Sequence, residues 1–359
     1  MTRKILVVTH GGRQEAVAGL REAVPALCAA GFEVVLHDHD LAAEMGTASF
    51  VLDEARSMLD GTELVMVLGG DGTILRAAEI THGTQVPLLG VNLGHVGFLA
   101  ESEREKLTET VQRLADNDYV VEERGVLDVR TYLPGQSEPV HDWALNEATI
   151  EKAERTLMIE VAIEVDGRPL SSFGCDGVVM STATGSTAHA FSAGGPVIWP
   201  DVDAKLLVPL SAHALFARPL VVGPGSMFAV EVATRSGAVG VLIADGRRRT
   251  PLPVGSRVEV RTGATPLRFA RLNQAPFTDR LVSKFNLPVV GWRGLADEAA
   301  DEVAAATRPH GSAADADPSE TTSTTETTTT TGTTTTTGTT STTGTAATTG
   351  TTPQTSQTR

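Results

Sequence analysis

The stretch LVMVLGGDGTILRAA, residues 64–78, constrains this chain more than any other. Its five apolar residues, 64–68, form a run short enough for a strand and continuous enough to need cover on both faces. Gly69, Gly70 and Gly72 then surround a single aspartate, Asp71, and residues 73–78 read as the start of a helix. A buried strand leaving through a glycine turn into a helix is the repeating unit of a parallel α/β sheet. Such a turn also points backbone N–H groups and the positive end of a helix at an anion.

The same unit recurs around it. KILVVTHGGRQEAVAGLREAV gives a strand over 5–8, a turn at His10 to Arg13 and a helix over 14–24, which Pro25 is expected to end or kink. FEVVLHDHD reads as a second strand, 41–59 as mostly helical, VPLLGVN as a further strand, and about 103–117 as a helix. This alternation predicts an α/β, doubly wound nucleotide-binding domain over 1–120. Near Tyr119 the pattern changes. LMIEVAIEVDGRPLSS, PLVVGPGSMFAVEVAT and RVEVRTG alternate apolar with polar residues between turn signals. They predict a β-rich, sandwich-like domain over 121–272, interrupted by one helix within TGSTAHAFSAGG. Residues 273–295 read as a helix and turn that return to the first domain. Residues 296–359 are low-complexity threonine with few apolar groups to offset the entropy of ordering, and are expected to be disordered.

Charge narrows the partners. The chain carries −15. From Asp297 onward eight acids stand against two arginines, which leaves −9 for the body. An acidic body argues against nucleic acid or an anionic membrane as partner. The two cysteines, Cys28 and Cys175, form neither a disulfide framework nor a zinc spacing. With no signal peptide and no apolar run near the ~20 residues of a membrane span, a soluble cytoplasmic protein is expected.

LGGDGT is neither a Walker loop nor a dinucleotide fingerprint: Gly70 and Gly72 fit G-x-G-x-x-G, but Leu75 stands at the third glycine. Asp71 would repel a phosphate lying on it. It can instead accept a proton from a hydroxyl or hold Mg²⁺ for a nucleotide, and either suits phosphoryl transfer. Arg76, about one turn on, can steady a phosphate or a carboxylate. The plain alternative is that Asp71 or Thr73 caps the helix.

Further segments share this character: NLGHVGFLAE (92–101), LNEATI (145–150), CDGVVMSTATGSTAHAFSAGGPV (175–197), HALFARPLV (213–221) and PFTDRLVSKFNLPVVGWRG (276–294). In this order, with GGDGT, the chain resembles the NAD kinase family over about 4–294, and its C-terminal wording resembles the actinobacterial branch. The resemblance implies a phosphotransferase that moves the γ-phosphoryl of ATP, or of polyphosphate, to the 2′-hydroxyl of the adenosine ribose of NAD, a step of NADP biosynthesis. It implies a site between an α/β and a β-rich domain, a homodimer or homotetramer, and Mg²⁺ or another divalent cation arriving with ATP rather than on a fixed protein site.

Residue by residue, the resemblance makes Asp71 the general base. It places Asp71, Gly72, Arg76, Phe98, Asn146, Glu147, Asp176, Thr187, Ala188, His189 and Ser192 on NAD. Gly69, Gly70, Gly72 and Thr73, with Arg13 from the first turn, would form the phosphate-donor loop. Blander readings stand beside these: a buried polar pair for Asn146 and Glu147, an Asp-Gly hairpin at Asp176, capping by Ser186 or Thr187, a core aromatic at Phe98 and a surface residue at Arg13. The run S-T-A-T-G-S-T-A-H departs from the usual S-T-P-T-G-S-T-A-Y at Ala183 and His189. The lost proline should loosen the turn, and the histidine keeps a flat ring while adding a titratable group. In IADGRRRTPLP, Asp245, Gly246 and three arginines read as a hairpin, the arginines as a solvated turn, with aid to a phosphate or a subunit contact as the alternative. A lipid or sugar kinase sharing GGDGT and a non-catalytic nucleotide-binding regulator remain as alternatives. An NAD-dependent oxidoreductase lacks its fingerprint here.

Overall fold

The computed structural model describes residues 3–10, 12–50, 59–94, 97–272 and 276–289, all inside one compact unit, Met1–Arg293. The threonine-rich segment over 296–359 and the end of the returning segment lie outside the described residues.

The continuous apolar runs become β1 (Arg3–Thr9), β2 (Phe32–Leu36), β4 (Thr62–Leu68) and β5 (Leu88–Asn92), paired in parallel. With β3 (Ala48–Ser49), β6 (Ser102–Glu103), β7 (Val120–Arg124) and β20 (Leu267–Arg271) they form an eight-stranded sheet. Its order is β3-β2-β1-β4-β5-β20-β7, with β6 on β5. Both faces are covered, which is why the runs do not alternate. Ile5, Val7, Leu64 and Met66 pack with Leu20, Val24 and Leu27 of α1 (Gln14–Ala29). Leu6, Val8, Val65 and Val67 pack with Ile74, Ala77 and Ala78 of α3 (Asp71–Thr81).

The helices differ from the sequence expectation in three places. α1 does not end at Pro25 but runs to Ala29. Pro25 lies on the exposed face, so the carbonyl left without its usual donor is on the solvent side, while Leu20, Val24 and Leu27 hold the helix to the sheet. Of the helix expected over 41–59, the described residues show α2 (His39–Met45). Gly46 closes it in the left-handed conformation (φ 67°) and the chain turns into β3, while 51–58 lie outside the described residues. The helix expected over 103–117 begins as a 3₁₀ turn and becomes α4 (Leu107–Ala115).

The alternating segments form two antiparallel sheets of six strands each. One has the order β15-β14-β13-β10-β17-β18: Leu220–Val222, Lys205–Leu210, Gly177–Thr182, Glu147–Lys152, Gly240–Ala244 and Arg248–Leu252. The other has the order β12-β11-β16-β19-β8-β9: Arg168–Cys175, Ile159–Val165, Phe228–Val232, Arg257–Thr262, Leu127–Tyr132 and Val140–Ala144. Their facing sides share one core, including Ile150, Val178 and Met180 from the first and Val161, Phe228 and Val260 from the second. β13 is buried along its whole length because its outer face carries Val179 into a second cluster with Ala190, Leu206 and Val208. Ala190 belongs to α5 (His189–Ser192), the single helical insertion expected there, which follows a 3₁₀ turn over Thr184–Thr187.

β20 leaves this β-rich region and enters the first sheet, with Phe269 opposite Leu88 of β5 and a full antiparallel register against β7. α6 (Phe277–Phe285) follows. Its Arg280 bonds the Phe98 carbonyl (3.3 Å) and the buried Glu101 carboxylate (2.7 Å), which tethers it to the loop after β5. No helix among the described residues is long and apolar enough to cross a membrane.

Candidate active site

The site begins where the parallel strands end. β4 stops at Leu68, Gly69 and Gly70 turn the chain, and α3 starts at Asp71. Gly70, not Asp71, is the N-cap, and it offers no side chain. The Asp71 carboxylate instead turns to the loop after β5. It accepts the backbone N–H of Phe98 and that of Leu99, each at 3.1 Å. The plain capping reading of Asp71 therefore does not hold. Two N–H bonds, one to each oxygen, fix the carboxylate plane, and among the described residues no cationic side chain pairs with it.

Gly97 shows how close this loop comes. A Cβ placed there would lie 2.4 Å from Asp71 Oδ1 and 3.0 Å from Cγ. Since the colliding atoms belong to a movable side chain, Gly97→Ala should displace the carboxylate rather than the fold. We expect kcat to fall about 100-fold, the scale of an ångström-sized misplacement, with the thermal midpoint within a few degrees of wild type. A kcat within twofold of wild type would show that the position of Asp71 is unimportant.

On the other side of the turn, Gly69, Gly70 and Thr73 line a cavity of about 350 Å³ with His10, Arg13 and Asn92. It opens at the carboxyl ends of β1, β4 and β5, where open α/β sheets receive ligands. The first N–H groups of α3 have no acceptor inside the helix, and its dipole favours an anion. Arg76 is five residues from Asp71, so the two side chains leave the helix about 140° apart. Arg76 stands near His37, just past β2. The His37 imidazole is held below its ordinary pKa by burial first and by the Arg76 charge second.

Asn146 and Glu147 form a second corner, where β9 passes into β10. Leu145 packs in the same core as Ile74 of α3 and Leu99, which brings this corner beside the Asp71 turn. The Asn146 carbonyl accepts the Thr182 N–H (3.0 Å), and the Thr182 hydroxyl donates to the Leu145 carbonyl (2.6 Å). The same hydroxyl accepts the Gly185 N–H (3.0 Å). A Cβ on Gly185 would sit 2.0 Å from the Asn146 carbonyl oxygen, so only glycine lets the TGSTA loop lie on this corner.

Glu147 is buried, and the His189 N–H donates to its carboxyl, while Oε2 has no partner among the described residues. Burial, reinforced by the charge of Asp245, pushes its pKa to about 8, against the lowering effect of the His189 N–H. His189 thus reaches Glu147 through its backbone, Thr187 and Ala188 precede it in the chain, and Ser192 is exposed at the end of α5. Neither Ser186 nor Thr187 caps that helix: Ser186 Oγ bonds the Ala183 carbonyl and the Ile198 N–H, and Thr187 Oγ1 bonds the Thr184 carbonyl.

Two residues stand differently. The Phe98 ring packs on Phe277 and Phe285 of α6, with centroids at 6.1 and 5.6 Å. Asp176 is not in a hairpin: it lies where the chain crosses from β12 in one sheet to β13 in the other. Since Gly177 pairs with Glu151 and Ser181 with Glu147, Asp176 is about 14 Å or more along the strands from Glu147. It pairs with Lys152 (2.5 Å). Its carboxyl is held below the usual range by hydrogen bonds from Lys152 and Ser211. The structure does not gather Asp176 with Asn146 and Glu147.

Sequence reasoning missed Gly97, Thr182 and Gly185. It also placed the hairpin arginines in solvent, yet Arg248 is half-buried and bonded to Glu79, Asp142 and Asp245. All are effects of distant chain segments. Only the glycines, already conspicuous in NLGHVGF and TGSTA, gave a local sign.

Comparison with known proteins supplies the chemistry this geometry serves. Residues 5–119 match the model of the ATP-NAD kinase N-terminal domain, and residues 145–272 that of the ATP-NAD kinase C-terminal domain. The chain is 54% identical over 304 residues to the NAD kinase of Thermobifida fusca, covering 82% of this chain and 93% of that protein. It is 58% identical over 296 residues to the NAD kinase of Leifsonia xyli, covering 81% and 97%. Among solved structures, yeast NADH kinase complexed with NADH shares the fold, with a TM-score of 0.73 at 21% identity over 80% of this chain and 88% of that one. An NAD kinase from Archaeoglobus fulgidus in complex with ATP gives a TM-score of 0.59 at 23% identity, over 79% and 100%.

Proposed function

This chain belongs to the NAD kinase family, and from that we propose that it transfers the γ-phosphoryl of ATP to the 2′-hydroxyl of the adenosine ribose of NAD, giving NADP and ADP. The observation that carries the assignment of roles is the Asp71 carboxylate, held by two backbone N–H groups between the glycine-lined cavity and the Asn146–Glu147 corner. In this reading the nucleotide phosphates take the cavity, facing Gly69, Gly70, Gly72, Thr73 and Arg13. The ribose hydroxyls take the unpartnered Glu147 oxygen, and Asn146 reads the adenine edge with its amide. Thr187, Ala188, His189 and Ser192 flank the nucleoside.

Asp71 accepts the proton of the 2′-hydroxyl as that oxygen bonds the γ-phosphorus. The bond from γ-phosphorus to the bridging oxygen breaks, and ADP leaves with the electron pair. The remaining work is positioning and charge neutralisation. Among the described residues no three His, Cys, Asp or Glu side chains converge as a metal site. Mg²⁺ or another divalent cation would arrive with the nucleotide, held by its phosphates. Polyphosphate would use the same cavity. Phe98, whose N–H holds Asp71, would face the nucleotide, while Arg76 and Asp176 lie outside the corner described, and we assign those two no contact with a single NAD within one chain. We also infer a cytoplasmic homodimer or homotetramer; the exposed Leu215 and Phe216, in the loop that follows Ser211, support an interface there.

The test is NADP formation from NAD by the purified full chain with Mg²⁺ and either ATP or polyphosphate. Product is expected with ATP, and the second arm settles whether polyphosphate also serves. Well-folded protein that binds NAD and makes no NADP with either donor would mean a non-catalytic binder.

A further inference from the structure

The Asp245–Arg247 turn between β17 and β18 does more than close a hairpin. Asp245 and Gly246 both have positive φ, 49° and 67°, the pattern of a type I′ turn. Asparagine serves that turn as well as aspartate does, so the turn alone does not require a carboxylate. The partners do. One Asp245 oxygen accepts the Asn146 N–H at 2.7 Å and the other the Leu145 N–H at 2.9 Å. The Asp245 N–H donates to the Glu147 carbonyl at 2.9 Å. Three consecutive residues, Leu145 to Glu147, are therefore hung on one side chain and its own backbone, at a position only 4% exposed.

Arg248 carries this corner to the other half of the site. Its guanidinium bonds Asp245 (3.3 Å), Asp142 (2.9 Å), the Trp143 carbonyl and Glu79 of α3 (2.8 Å). Arg247 reaches the same Glu79 carboxylate at 3.0 Å. Arg248 also lies over the Trp143 ring (4.7 Å), on which His82, the residue closing α3, stacks at 4.0 Å. α3 starts with Asp71 and is held along its last turns to the strands that present Asn146 and Glu147.

We propose that Asp245 and Arg248 are positioning residues for NAD: Asp245 sets the backbone of the Asn146–Glu147 corner through two charge-assisted bonds, and Arg248 fixes that corner to the helix that carries Asp71. Neither touches the reacting atoms. The inference rests on the reading of Asn146 and Glu147 as the nucleoside corner. Asp245→Asn is the sharp probe, because it keeps the turn and removes the second acceptor.

The experiment is steady-state kinetics of the full chain, with wild type as control: a wild type that makes no NADP would sink the assigned function, whatever the variants do. Against an active wild type, Asp245→Asn is expected to raise the KM for NAD tenfold or more and to leave the KM for ATP within twofold. The pH profile adds a readout that a merely structural role would not move. Glu147 is faced by the Asp245 charge, by the His189 N–H from α5 and by uncharged Ser181 across the ladder. Removing the Asp245 charge should shift the acid limb of kcat/KM for NAD to lower pH. Arg248→Lys, a milder change that keeps a charge but loses the fork, should lower kcat/KM for NAD three- to tenfold. A folded Asp245→Asn with unchanged NAD KM and unchanged acid limb overturns the proposal. So does an unfolded Asp245→Asn together with a wild-type kcat/KM for NAD in Arg248→Lys.

Discussion

Asp71→Asn should lower kcat by about 10²–10⁴-fold, the range of a lost general base, while NAD still binds. The geometry makes this substitution informative. The carboxylate is held by the N–H groups of Phe98 and Leu99 and, among the described residues, by no cation. An amide of the same shape keeps one of those bonds and loses the charge and the proton affinity. Gly97 leaves no room for the side chain to be larger, but an amide is no larger. Stopped turnover with an NAD dissociation constant within a few fold of wild type would isolate the chemical role. Wild-type turnover in Asp71→Asn would remove Asp71 as the base and leave the glycine turn as a phosphate cradle alone.

Glu147→Gln should weaken NAD binding and stabilise the free protein, and the second effect should depend on pH. Burial and the Asp245 charge raise the folded-state pKa of Glu147 from 4.5 to about 8. An acid whose folded pKa is raised contributes its full stability below its unfolded pKa. It loses that stability as pH climbs toward the folded value. From pH 4.5 to pH 7 the loss amounts to about 3 kcal/mol. Glutamine never ionises, so the variant should escape it. Its thermal midpoint should exceed wild type by several degrees at pH 8, at about 2–4 °C per kcal/mol, and the advantage should shrink to almost nothing near pH 4.5. NAD affinity should meanwhile fall about 10–100-fold, the cost of losing a hydrogen bond to a charged group. A midpoint difference that stays constant from pH 5 to pH 8 would show that Glu147 is not held protonated in the free protein.

The pair of predictions locates a conflict in the molecule. Glu147 is kept where a carboxylate is poorly solvated and one oxygen has no partner among the described residues. Such a group costs stability in the free state and becomes useful when hydroxyl donors arrive.

What the sequence discloses divides by distance. The parallel sheet was legible because each strand carries its own apolar run and each turn its own glycines. The Asp71 turn was legible for the same reason. The carboxylate's partners were not, since they lie 27 and 28 residues on, in a loop whose N–H groups have no letter in the sequence. Asp245 read as a hairpin aspartate because Asp-Gly is what such a turn wants, while its acceptors serve residues 99 and 100 positions away. Pro25 misled because a local rule was outweighed by packing on the opposite face of α1. β20 was unreadable as a member of the first sheet: LRFAR is as good a sandwich strand as any, and only its neighbours assign it.

That last strand has a consequence for how the protein is made. β5 and β7, finished by residue 124, are joined only through β20, which begins at residue 267. At about 5–20 residues per second on the ribosome, the nascent sheet waits roughly 7–30 s with a gap between β5 and the edge strand β7. During that interval this edge of β5 is covered only by the two-residue β6 at Val91 and Asn92, and around Leu88 it offers its ladder groups to any strand that comes near. The first domain to emerge is thus the last to close, and the vulnerable moment in the life of this enzyme falls in translation, before there is a site to protect.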